Sequence, residues 1–217
     1  MKKYRKNGKI TNMKSIVNSK EPIIIFTGPS GVGKGTIERL LFEFEELNLS
    51  LSCSATTRKP RNGELNGIHY YFIDIDSFRD KMKHRKFLEF SYHLNNYYGT
   101  LYSELKKIHE KKMVPMLEIE TNGVKKVIER FKKENLNDKY NLITIFLAPP
   151  SIDDLRKRII SRGSENNQTL KDRLKKAEDE IKDSSIFKYK IINDIPERAA
   201  NEIREILHKE LGIDQTK

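Results

Sequence analysis

The residues best placed to do chemistry in this chain form one short run: Gly28, Pro29, Ser30, Gly31, Val32, Gly33, Lys34, Gly35 and Thr36. A glycine, four residues, a second glycine and then a lysine let successive backbone N–H groups turn inward around a polyphosphate. The lysine reaches the outer oxygens as a point charge. Such a loop handles the phosphates of a nucleotide. Gly35 stands where the general pattern has a serine or threonine whose hydroxyl binds magnesium, and Thr36 comes one residue late. A magnesium ion would then be held mainly by nucleotide and water.

Other groups of suitable type lie downstream. Arg58 and Arg61 flank the turn residues Pro60, Asn62 and Gly63, followed by Glu64. Two guanidinium forks can each grip phosphate oxygens bidentately, which lysines do less specifically; a solvated turn is the plainer reading. Tyr70 and Tyr71 fall on opposite faces of an extended segment, so that one can reach a ligand while the other packs. Glu89 sits between Leu88 and Phe90, where an unpaired carboxylate is expensive to bury. It is either a solvent-facing strand residue or a carboxylate that reads a ligand. Glu118 and Glu120 close an apolar run, and acids at a strand tip beside a phosphate loop can hold magnesium through water or read a base edge. Arg158, Arg162 and Arg173 bracket the polar link Gly163 to Thr169, as a lid closing over a triphosphate requires, although charged helices are usually solvated. His109 reads as a surface residue suited to a helix C-terminus.

These groups need elements to hold them. Glu21 to Phe26 contains four consecutive apolar residues without alternation, as in a strand of a parallel sheet buried on both faces. Ile37, Leu40, Leu41, Phe44 and Leu47 recur at helical spacing up to about Asn48, so a helix begins at the loop and points its positive end at the bound anion. Strands are predicted over Leu49 to Ser54, Gly67 to Ile75, Phe87 to Tyr98 with a break near Asn95, Val114 to Glu120, Asn141 to Ala148 and Tyr189 to Ile192. Helices are predicted over 76–86 with Asp76 as N-cap, 100–112, 122–134, from Ser151 through a capping box with Asp154, 170–182, and 196–211 with Pro196 in its first turn. The result is an α/β fold, a parallel sheet flanked by helices.

Composition narrows the class further. A chain of 217 residues with 36% hydrophobic content builds one sizeable core with room for a small inserted lobe. The net charge of +11 owes much to residues 1–20, which carry seven lysines and arginines and no acid, leaving +4 for 21–217. That extension is polar and unpatterned and is expected to be disordered. A solvated tail is preferred to an RNA-binding arm, and no nucleic-acid partner is expected. The single cysteine, Cys53, rules out an intrachain disulfide and fits a reducing compartment. No run approaches a membrane span, so no membrane partner is expected and a cytoplasmic setting follows.

The segments GPSGVGKGT, SCSATTRKPRNGELNGIHYYF, FLEF, NNYYGT, LEIETNG and FLAPPS occur in this order, and from about Pro22 to Leu211 the chain resembles guanylate kinases. The GKGT wording is that of nucleoside monophosphate kinase loops; Glu118 and Glu120 stand where Asp-Ile-Asp is frequent in the family. The resemblance implies a P-loop NTPase-type core (21–52 and 101–217) binding ATP with Mg2+ at Gly28 to Thr36. It also implies an inserted mixed α/β lobe (about 53–100) binding GMP, with dGMP left open beside it, and a helical lid (about 158–175). By the same resemblance, Arg58, Arg61, Tyr70 and Tyr98, with Glu64 beside them, would hold the GMP phosphate. Ser54, Glu89, Thr100 and Glu120 would read guanine. Lys34, Arg58, Arg158, Arg162 and Arg173 would stabilise the transferring phosphoryl group, and Glu118 would touch the metal through water. Rival readings are a kinase for another monophosphate and a non-catalytic scaffold of the same fold, against which the intact loop with Lys34 speaks.

Overall fold

The structure, a computed structural model, describes residues 20–93, 95–161 and 167–213. The strands are β1 (Glu21–Thr27), β2 (Leu49–Leu51), β3 (Ala55–Thr56), β4 (Tyr71–Phe72), β5 (Phe87–His93), β6 (Asn96–Leu101), β7 (Val114–Glu118), β8 (Tyr140–Ala148) and β9 (Tyr189–Ile192). The helices are α1 (Lys34–Glu43), α2 (Ile75–Lys83), α3 (Tyr102–Glu110), α4 (Thr121–Lys133), α5 (Ile152–Ser161), α6 (Asn167–Lys182) and α7 (Pro196–Leu211). One sheet has the order β2-β7-β1-β8-β9, every neighbouring pair parallel. The other, β4-β3-β6-β5, mixes parallel and antiparallel pairs.

The unbroken apolar run of β1 has a simple cause. Ile24 and Phe26 pack with Ile37 and Leu41 of α1 and Ile203 and Leu207 of α7. Ile23 and Ile25 face the opposite layer, where Leu105 of α3 and Val124, Val127 and Phe131 of α4 cover them. A central strand covered on both sides has no solvent face to mark with polar residues. The mixed sheet has its own small core, in which Phe78 stacks on Phe87 at 4.3 Å between ring centroids. Among the described residues no helix is long and apolar enough to cross a membrane.

Several boundaries differ from the expectations. The strand expected over Leu49 to Ser54 stops at Leu51, where β2 pairs with β7, and the chain then crosses through Ser52 to Ser54 to β3, a two-residue strand of the other sheet that is not among those expected. Of Gly67 to Ile75 only Tyr71 and Phe72 form a strand, because β3 offers two residues to pair with. Asp74, not Asp76, caps α2: its carboxylate accepts from Ser77 N at 2.7 Å and from the Ser77 hydroxyl at 2.7 Å. The first helix stops at Glu43, and a 3-10 turn over Glu45–Leu47 completes the apolar stripe up to Asn48, whose φ is 47°. His109 is not a surface residue. Its side chain is 10% exposed and Nε2 lies 2.8 Å from Pro22 O, at the start of β1. The capping box is present, with Asp154 N donating to Ser151 Oγ at 3.0 Å. Residues 1–19 and 162–166, which include Arg162 and most of the expected Gly163 to Thr169 link, lie outside the described residues. Helix α6 already begins at Asn167.

Candidate active site

The loop from Gly28 to Gly33 joins the C-terminal end of β1 to α1. Gly31 and Gly33 have φ of 87° and 105°, left-handed values that a side chain would strain. A Cβ on Gly28 would come within 2.4 Å of Leu147 O, and one on Gly33 within 2.6 Å of Asn193 Nδ2, so neighbouring backbone and a buried amide press on the loop from behind. That support is polar. Asn193, 2% exposed, donates to Val32 O at 2.8 Å, and Arg158 donates to the same carbonyl at 3.1 Å and to Asn193 O at 2.8 Å. Arg158 thus spends its guanidinium on the back of the loop.

Lys34 Nζ donates to Gly28 O at 2.9 Å, spanning the mouth of the loop, and stands 3.6 Å from Glu118 at the end of β7. Glu38, one turn further along α1, completes this corner. Burial and then the charge of Glu118 push its carboxyl up to about 7, against the pull of Lys34. Sequence reasoning missed Glu38. The only signal was its position four residues after the loop lysine, which places it on the same helix face. A Cβ on Gly35 meets nothing within 4 Å, so the position lacking the usual hydroxyl opens onto free space. Among the described residues no cluster of three acids, histidines or cysteines can hold a metal by itself. Glu118, whose carboxylate lies 3.6 Å from Lys34 Nζ at the loop, is of the chemical type that meets Mg2+ through water beside a phosphate chain.

In the mixed-sheet lobe, Arg58 forms two parallel bonds to Glu64, both 2.9 Å. That hydrogen bonding and the Arg61 N–H, 2.7 Å away, hold the Glu64 carboxyl down at about 2. The Arg58 guanidinium lies 5.5 Å over the Tyr70 ring and 5.7 Å over Phe72, and Tyr70 meets Tyr98 edge-on at 6.0 Å. Glu64 therefore aims the arginine, while Arg61 keeps an exposed side chain on the turn. Tyr71 faces the other side, as the alternation predicts.

Glu89 is 6% exposed, and burial pushes its carboxyl up. Oε1 accepts from Thr100 N at 3.1 Å and from the Thr100 hydroxyl at 3.0 Å. Oε2 takes part in neither bond and is the atom that a Cβ on Gly123, in the first turn of α4, would approach to 3.2 Å. Because the Thr100 hydroxyl gives its one proton to Glu89, its remaining capacity is to accept. β7 ends at Glu118, and Glu120, extended at φ −71° and ψ 155°, is the N-cap of α4, its carbonyl accepting from Gly123 N and Val124 N. Its carboxylate meets Lys176 of α6 at 3.2 Å, at the rim of a cavity of about 370 Å³ lined also by Thr121, Asn122, Glu180 and Asp183. Ser54 lies next to β3, its carbonyl accepting from Tyr71 N at 2.8 Å. Arg173 is on α6.

A family model described as guanylate kinase matches residues 19–210. The guanylate kinase of Mycoplasmopsis synoviae is 63% identical over 195 residues, covering 90% of this chain and 98% of that protein. That of Mycoplasmopsis pulmonis is 48% identical over 190 residues, 88% and 95% of the two chains. The crystal structure of guanylate kinase from Anaplasma phagocytophilum superposes with a TM-score of 0.65 at 29% identity, covering 91% of this chain and 89% of that one.

Proposed function

The chain belongs to the guanylate kinase family, and from that premise we propose how its residues divide the work. The reaction is the ATP-dependent phosphorylation of GMP, ATP and GMP giving ADP and GDP by direct in-line transfer. The observation that carries the assignment of residues is the buried Glu89, with one oxygen held by Thr100 and the other turned toward the start of α4. Guanine presents N1–H and N2–H donors on one edge, which a single carboxylate accepts together; adenine would leave that carboxylate partly unsatisfied. Ser54 supplies the hydroxyl for O6, Thr100 orients Glu89, and Glu120 exchanges its lysine for the ligand.

Arg58, aimed by Glu64, holds the GMP phosphate with Arg61, Tyr70 and Tyr98. A monophosphate whose second pKa is about 6 is largely dianionic at neutral pH, so its oxygen attacks without a dedicated base. Positioning and charge stabilisation remain for the protein. The N–H groups of the loop and Lys34 hold the ATP phosphates, and Arg158 keeps the loop in shape from behind. Arg162 and Arg173, on the segment leading through α6, are the arginines of a closing lid that excludes water, which would otherwise hydrolyse ATP. Mg2+ would be held mainly by the nucleotide phosphates and water, with Glu118 reached through water, and would supply charge neutralisation on the transferred group. The unpaired Cys53 supports a cytoplasmic setting.

ADP release measured by a coupled assay with GMP, AMP, CMP and UMP in turn tests this reading, and turnover is expected with GMP alone. Lys34→Met is expected to keep the fold by circular dichroism and to lose roughly 10³-fold in turnover. Near-normal GDP formation by that variant would contradict the loop assignment.

A further inference from the structure

Among the described residues, the mechanism leaves the buried acid Glu104 unused. Glu104, on α3, is 6% exposed, and its carboxylate gathers donors from three places in the chain. Oε2 accepts from the Tyr71 hydroxyl at 2.8 Å and lies 3.6 Å from Lys107 Nζ, while Oε1 faces the backbone N–H of Cys53 at 3.4 Å. Lys107 closes the ring by donating to the Tyr71 oxygen at 3.0 Å. Burial holds the Tyr71 phenol above its ordinary pKa, so the hydroxyl keeps the proton it donates.

These partners mark the joint between the two sheets. Cys53 lies in the link from β2 of the parallel sheet to β3 of the mixed one, and Tyr71 opens β4. Helix α3 follows β6 directly and buries Leu105 against Ile23 and Ile25 of the central strand. Glu104 is thus carried by an element anchored in the core and holds two pieces of the lobe. Tyr71 N also donates to Ser54 O at 2.8 Å, and the next residue back, Tyr70, turns to the opposite face toward Tyr98 and Arg58. Apolar contacts at a joint tolerate sliding because they have no direction; a buried, charge-assisted hydrogen bond fixes both distance and angle. A buried carboxylate is costly unless its partners stay in place. Here they stay in place only while lobe and core keep this relation.

We infer that Glu104 is a positioning residue for the GMP lobe: through Tyr71 and Cys53 it sets where Ser54 and Tyr70 stand relative to the phosphate loop. This rests on the reading of that lobe as the GMP site. Tyr71→Phe removes the hydroxyl and little else, Glu104→Ala removes the carboxylate, and Glu104→Gln restores length and one acceptor oxygen. Tyr71→Phe is expected to raise KM for GMP about three- to tenfold, with kcat at saturating GMP and KM for ATP within about twofold of the parent. Glu104→Ala raises KM for GMP further and Glu104→Gln less. Adding Tyr71→Phe to Glu104→Ala changes little more, since both cut the same bond. A lowered Tm with unchanged KM for GMP in Tyr71→Phe and Glu104→Gln would make the network a stability device only and overturn the inference. Ser54→Ala and Tyr70→Phe run alongside. If these leave KM for GMP unchanged, the lobe reading fails and the inference with it. If they raise it while Tyr71→Phe and both Glu104 variants do not, the positioning role alone fails.

Discussion

Glu89 and Glu38 are both carboxylates drawn out of water, and their surroundings treat them differently. Thr100 gives Glu89 two hydrogen bonds on one oxygen, which orients the carboxylate and leaves its second oxygen out of both bonds. Glu89→Gln replaces one acceptor oxygen by an NH₂ that would face a guanine donor. A buried mismatch of that kind costs on the order of 1–3 kcal/mol, more when a charge is lost, so kcat/KM for GMP is expected to fall roughly 10²-fold. The Kd for ATP stays unchanged. An unaltered GMP value would remove Glu89 from the site. Glu38 instead faces Glu118 across the corner of the loop, with Lys34 the opposing charge, and its carboxyl sits at about 7 against an ordinary 4.5. Folding therefore disfavours its ionisation. The stability it contributes is full below about 4.5 and is lost as pH rises through about 7. Glu38→Gln is expected to match the parent protein near the lower end of that window and to exceed it above the upper end. With partial exposure screening the effect, the gain is on the order of 1 kcal/mol. Urea unfolding at several pH values, without nucleotide or magnesium, checks this; a difference that does not vary with pH would contradict it.

At the scale of elements, the phosphate loop was legible because its chemistry is local. Glycines, a lysine and the strand and helix on either side occupy consecutive positions, and each obeys a rule of its own segment. The support behind the loop was not legible, because Arg158 and Asn193 come from 126 and 161 residues away from the carbonyl they share. Read along its helix, Arg158 belonged with the lid arginines. In space it braces Val32. Arg158→Met is therefore expected to act through the loop: KM for ATP rises and the fold loses about 1–3 kcal/mol, since a buried carbonyl loses a charged donor. A loss confined to kcat, with stability and KM for ATP unchanged, would return Arg158 to a purely catalytic role. The same distinction bears on Glu118, the last residue of β7, and Glu120, two residues on. Spacing places Glu118 and Glu120 two residues apart at a strand end; only the fold shows that Glu120 is the N-cap of α4 and that its carboxylate meets Lys176, 56 residues away.

For the whole molecule, the net charge of +11 is concentrated in a segment that precedes the first strand and contains none of the site residues. Deleting Met1 to Ser19 is expected to leave kcat and both KM values within about twofold, as for changes remote from the site. A large loss in a truncated chain that still folds would assign the extension a part in the reaction. The parallel sheet, its central strand and the loop that follows could be read from the chain alone, since apolar runs, turn residues and helical spacing are properties of neighbouring residues. Tertiary structure decided what depends on separation in sequence. It ended the strand from Leu49 at Leu51 and began β3 at Ala55 in the other sheet, because β2 has its partner in β7 and β3 has its own in β4 and β6. It also gave Glu104 partners 33 and 51 residues away at the joint so formed. Hydrogen bonds of that kind are fixed by where the packed layers bring distant segments, and no local pattern records them.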